Sequence, residues 1–137
     1  IDKLGLTNNF RIIENQIDMA AIYKLADVVI SASTDPEAFG RVVAEAQAMG
    51  RPTVAVNHGG GPEIIINDVT GWLFKPGDAI DLSDKIRKAI DLDDLERKNM
   101  ASKAIERTLL NFNNDRMCLK TLEVYSALIN RNIKNEK

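Results

Sequence analysis

The chain holds one cysteine, Cys118, and one histidine, His58. A single thiol closes no internal disulfide, and one imidazole with one thiol makes no zinc cluster. Long apolar runs are absent too, and nothing approaches the roughly 20 residues that cross a bilayer. Neither sign of charge is in excess: 18 Lys and Arg face 20 Asp and Glu, for a net charge of -2. That balance leaves no electrostatic footprint for nucleic acid or an anionic lipid surface. There is no internal repeat, no low-complexity linker and no signal-peptide pattern. The reducing cytoplasm is therefore the expected compartment.

What is present suits one folded unit. The 137 residues are 45% hydrophobic and 28% charged, enough for a single core. Phe10–Ile13, Asp27–Ala32, Pro52–Val56 and Gly71–Phe74 each suit a short strand. Val28-Val29-Ile30 and Val54-Ala55-Val56 are continuously apolar, as in strands covered on both faces. Helix-like stretches at Asp18–Leu25, Gly40–Met49 and Pro62–Ile66 lie between them. This order predicts an α/β fold, a parallel Rossmann-like sheet with flanking helices.

After Phe74 the pattern turns helical. Asp78 is an N-cap for a helix carrying Leu82, Ile86, Ala89 and Ile90. Asp93 with Glu96 forms an acidic capping box, and Ala101, Ala104, Ile105 and Thr108 make the next buried face. A last helix starts near Asn114 with Cys118, Leu122, Tyr125 and Ile129 in one stripe, where Cys118 reads as a buried small hydrophobe. The polar end from Asn130 to Lys137 reads as a frayed terminus. At the front, Ile1-Asp2-Lys3-Leu4-Gly5-Leu6 reads as the tail of a helix capped by Gly5. The expectation is one partial domain over 1–137, N-terminally truncated, with an α/β part to about 90 and helices over about 93–133.

The stretch richest in chemistry is Asp35-Pro36-Glu37-Ala38-Phe39-Gly40-Arg41-Val42-Val43-Ala44-Glu45. It follows a strand and opens a helix, so the N–H groups of Phe39, Gly40, Arg41 and Val42 are left without helical partners. Such a helix start at the C-terminal edge of a parallel sheet is suited to a diphosphate or to sugar hydroxyls. On a helical wheel Val42, Ala46 and Met49 share the buried stripe, and Glu45 falls at its edge. A carboxylate there suits paired acceptance from vicinal hydroxyls. Spacing alone fits a solvated loop acid and a surface helix acid equally well. Arg41 fits a phosphate ligand or an ion-paired surface arginine, and His58 a cleft residue or a structural one. Gly59-Gly60-Gly61 fits a close approach to ligand or a turn needing positive φ, and Trp72 reads as core.

The form E-A-F-G-R-V-V-A-E from Glu37 to Glu45 resembles the signature of the group 1 (family 4) retaining glycosyltransferases. Flanking segments agree in order and spacing: Ala26–Ser33, Ala46–Pro52, Gly59–Glu63 and Thr70–Asp78. The pattern is nearest that of bacterial envelope and lipopolysaccharide enzymes. The resemblance implies the C-terminal, nucleotide-sugar-binding domain of a GT-B architecture. It assigns Glu37 the catalytic position against the donor sugar, with the backbone of Phe39, Gly40 and Arg41 beside it. Val42 falls to the diphosphate and Glu45 to the ribose hydroxyls. It places the base by the loop after Phe10–Ile13, where Glu14 stands in place of the family's frequent glycine. It also puts an Arg–Lys pair for the diphosphate, and an acceptor domain, ahead of Ile1.

The implied chemistry is front-face displacement assisted by the donor's own phosphate, with no metal and no cofactor. The implied partners are a nucleotide-sugar donor and a glycan or lipid-linked acceptor. Neither nucleic acid nor a membrane span is expected, and the full-length protein would lie in the cytoplasm or at the inner face of the cell membrane. Two other readings stay open. One is another GT-B enzyme, a nucleotide-sugar epimerase or a phosphorylase; the other is a noncatalytic sugar-nucleotide-binding module.

Overall fold

The computed structural model describes residues 1–14 and 16–135. Three strands, β1 (Val29–Ser31), β2 (Thr53–Val56) and β3 (Trp72–Phe74), form one sheet in the order β1-β2-β3. Both pairings are parallel, with Val29 opposite Thr53 and Val54 opposite Trp72. The helices are α1 (Met19–Leu25), α2 (Arg41–Ala48), α3 (Gly61–Ile64), α4 (Ala79–Ile90), α5 (Asp94–Asn111) and α6 (Asn114–Asn135). Short 3-10 turns at Asp2–Leu4 and Thr7–Asn9 precede them, and Gly5 caps the first in a left-handed conformation.

The centre of the sheet explains the unbroken apolar run in β2, whose residues are all buried. Alternate side chains go to opposite faces. Val54 and Val56 join Trp72, Phe74, Ala89 and Met100 under α4 and α5. Ala55 joins Val43, Ala44, Ile64 and Ile65 on the other face. A third cluster, Tyr23, Val29 and Ala46, ties α1 to α2 and β1.

Local signals place the helix ends. Asp18 caps α1 by accepting from Ala21 N–H at 3.0 Å, and Asp78 caps α4 through Ile80 and Asp81. Asp93 and Glu96 form the expected capping box on α5. The end of α2 is a Schellman turn: Gly50, at φ 65°, donates to Gln47 O at 2.9 Å, and Arg51 donates to Ala46 O at 3.0 Å.

Several sequence expectations are corrected. Phe10–Ile13 is no strand: Phe10 is extended, yet Ile12 is 90% exposed and no strand runs beside the segment among the described residues. Extended chain without a ladder partner stays solvated. The inward stripe of α2 is Val43, Ala44, Ala46 and Gln47, with Met49 partly buried against the Tyr23, Val29 and Ala46 cluster; of the expected Val42, Ala46 and Met49, only Val42 falls outside it. Val42 is 40% exposed. Leu122, Tyr125 and Ile129 on α6 are exposed, and so is Cys118. Nothing among the described residues packs on that stripe, so the periodicity marks an amphipathic face without placing it in this core. Ile90 at the end of α4 is also exposed. The polar end is helical through Asn135, and Glu136 and Lys137 lie outside the described residues.

Candidate functional site

The parallel sheet directs its strand ends to one edge, where β1 runs into the loop carrying Glu37. Gly40 ends that loop at φ 88° and ψ 58°. A Cβ there would meet only ordinary contacts, Ile64 Cδ1 at 3.6 Å and Glu37 Oε2 at 3.7 Å. The backbone conformation therefore demands glycine here, and space does not. No side chain caps α2, and the first N–H paired in the helix is that of Val43, to Gly40 O at 3.1 Å. The N–H groups of Gly40, Arg41 and Val42 have no acceptor among the described residues. This is the open, uncapped helix start expected for α2, an arrangement suited to an anion.

The glycine run holds the loop from behind. Gly60 N–H donates to Glu37 O at 2.9 Å. A Cβ on Gly60 would run into the Phe39 carbonyl, and one on Gly59 into the backbone of Glu37. Gly59, at φ 56°, fits the turn reading of Gly59-Gly60-Gly61. The close approach is to the site loop itself.

Two separate hollows collect the candidate side chains. Glu37 and Gly40 share the first with Ser31, Ser33 and His58, and Ser33 Oγ donates to Glu37 Oε1. His58 also borders an adjoining cavity of about 320 Å³ with Ser33, Thr34 and Asp78. Both of its ring nitrogens are buried without a protein partner. The second hollow, about 400 Å³, lies between α1 and α2 and is lined by Ile17, Met19, Tyr23, Arg41 and Glu45. There Tyr23 Oη donates to Glu45 Oε2 at 2.9 Å, and Arg41 NH2 reaches Glu45 Oε1 at 3.1 Å. Burial, the Glu45 hydrogen bond and the Glu45 charge push the Tyr23 hydroxyl up to about 12, against an opposing pull from Arg41.

Arg41 pairs with Glu45 on an exposed face of α2. Phe39 packs its ring edge-on against Phe112 at the end of α5, 5.6 Å between centroids, and Val42 lines neither hollow. Sequence reasoning missed Tyr23, Ser33, Phe112 and Arg107. Arg107 donates to Ile64 O and Glu63 O, both at 2.8 Å, and so closes the end of α3. Tyr23 had one usable signal: it lies on a capped amphipathic helix beside the strand that leads to Glu37. A further hollow, about 780 Å³, lies at the other end of β3 around Trp72, Arg87 and Asp91. Its charges are of both signs and include the Lys88–Asp68 pair at 3.8 Å.

The parallel three-stranded α/β layer with flanking helices matches the fold of solved GT-B glycosyltransferase domains. Residues 1–107 match the family model described as Glycosyl transferases group 1, and the chain belongs to that family. A curated relative, the D-inositol 3-phosphate glycosyltransferase of Salinispora tropica, is 33% identical over 92% of this chain and 26% of its own length. A solved glycosyltransferase from Rickettsia africae is 36% identical with a TM-score of 0.87, over 94% of this chain and 34% of that one. Anabaena HepE, solved with UDP and glucose, is 31% identical with a TM-score of 0.84, over 93% and 34%. The chain therefore spans about a quarter to a third of the length of these relatives. No helix among the described residues is long and apolar enough to cross a membrane.

Proposed function

We propose that this chain forms the donor side of a retaining glycosyltransferase, which moves a hexosyl group from a nucleotide sugar to a glycan or lipid-linked acceptor of the bacterial envelope. The observation that carries the reading is the pair of carboxylates on either side of the open start of α2, Glu37 held by Ser33 and Glu45 held by Tyr23. Glu37 lies at the donor sugar. The N–H groups at Phe39, Gly40, Arg41 and Val42 face the diphosphate and the sugar, and Glu45 accepts from the ribose. The complex of HepE with UDP and glucose, on the same fold, supports a nucleotide-sugar ligand. In the transfer step the bond from the anomeric carbon to the diphosphate breaks while the acceptor oxygen joins that carbon on the same face. The acceptor's proton passes to the departing phosphate. No metal or cofactor takes part in this scheme.

The test is calorimetry of the whole protein with nucleoside diphosphates and nucleotide sugars. Glu45→Gln loses a charge-assisted hydrogen-bond acceptor, a loss of about 1.5–3 kcal/mol in favourable settings. Affinity for the nucleoside diphosphate should fall roughly tenfold or more. Glu37→Gln should leave that affinity near wild type and weaken only the nucleotide sugar. Equal binding of the nucleoside diphosphate by wild type and Glu45→Gln would remove the ribose assignment.

A further inference from the structure

We propose that Tyr23 is a positioning residue for the donor nucleotide: its hydroxyl holds the Glu45 carboxylate so that one free lone pair on each oxygen faces a vicinal diol. The inference rests on the reading of Glu45 as the ribose acceptor. A carboxylate offers about four acceptor sites, two on each oxygen. Tyr23 takes one on Oε2 and Arg41 takes one on Oε1. What remains is one site per oxygen, the number that two neighbouring hydroxyls require.

The two holders differ in stiffness. The Arg41 side chain is 83% exposed, and an exposed i,i+4 pair is loosely held. Tyr23 is 4% exposed and is fixed from behind by the cluster it forms with Val29 and Ala46, which α1 and β1 share with α2. A ring packed in that way has one position for its hydroxyl, so the hydrogen bond sets the rotamer of Glu45. The phenol also stays protonated and donating through the neutral range, because burial and the Glu45 charge oppose its ionisation. Both groups line the same 400 Å³ hollow between α1 and α2.

Calorimetry on the whole protein with uridine, guanosine and adenosine diphosphates selects the tightest ligand, which is then compared with its 2′,3′-dideoxy analogue. Tyr23→Phe keeps the packed ring and removes only the donor. It should weaken the ribose ligand about three- to tenfold, the worth of one net hydrogen bond, and leave the dideoxy analogue unchanged. In a Glu45→Gln background Tyr23→Phe should add nothing, because its action passes through that carboxylate. Equal weakening of both ligands would mean that Tyr23 serves only the fold, and the positioning role is overturned. Weakening by Glu45→Gln with none by Tyr23→Phe overturns the positioning role and leaves the ribose reading intact. If Glu45→Gln has no effect, or none of the three diphosphates binds, the ribose reading falls and the positioning role with it.

Discussion

Glu45 sits on the second turn of α2 with Arg41 one turn before it, a spacing at which any helix brings two side chains together. Its second partner, Tyr23, arrives from another helix 22 positions earlier. The phenol then reports on the carboxylate. An ultraviolet titration should show a tyrosinate step near 12 for Tyr23, falling toward the ordinary 10 in Glu45→Gln. The direction follows because that substitution removes the neighbouring charge and changes the acceptor, while burial remains. The sign for stability is set by the raised value. The stabilisation linked to the protonated phenol is complete below pH 10 and is lost as pH rises through about 12. The stability lost between pH 10 and 12 should therefore be smaller in Glu45→Gln, and an unchanged loss would mean that the Tyr23–Glu45 contact contributes nothing in solution.

At the scale of elements, α2 is the hinge between core and site, and glycines bound it at both ends. Gly50 combines φ 65° with a close approach, since a Cβ would lie 3.0 Å from Ile105 Cδ1 and 3.2 Å from Ala101 Cβ on α5. Gly77 has φ 74° and nothing within 4 Å. Gly77→Ala should then cost only the left-handed strain, about 1 kcal/mol. Gly50→Ala should cost about 1 kcal/mol more, because α5 must shift or Ile105 must change rotamer. Urea denaturation of both variants measures the difference. Equal losses would show that the α2–α5 contact yields freely.

For the whole molecule, every candidate donor group lies along one edge of one sheet, and the described residues present no second surface facing it. Transfer needs donor and acceptor held in register, a condition that supplies much of the rate in bimolecular chemistry. The expected outcome is that the purified 137-residue chain binds a nucleoside diphosphate weakly and transfers no sugar. Radiolabelled donor incubated with envelope glycan or lipid acceptors checks this, and incorporation above a Glu37→Gln control would overturn it.

Much of this was legible in the residues alone. The three core strands, the caps Asp78 and Asp93, and the ordered matches from Ala26 to Asp78 were all readable. Each depends on neighbours a few positions apart or on a short apolar run, so the local sequence determined them. Tertiary structure decided the rest. Whether Phe10–Ile13 becomes a strand depends on a partner beside it, and whether the Cys118–Ile129 stripe is buried depends on what packs there. The inward face of α2 turned on how the helix packs against α5, α1 and the sheet. The partners of the site residues also come from afar: Tyr23 for Glu45, Phe112 for Phe39, and Arg107 for the end of α3, 43 residues away. Periodicity tells which side of an element is apolar. Only the packed chain tells which atoms it meets.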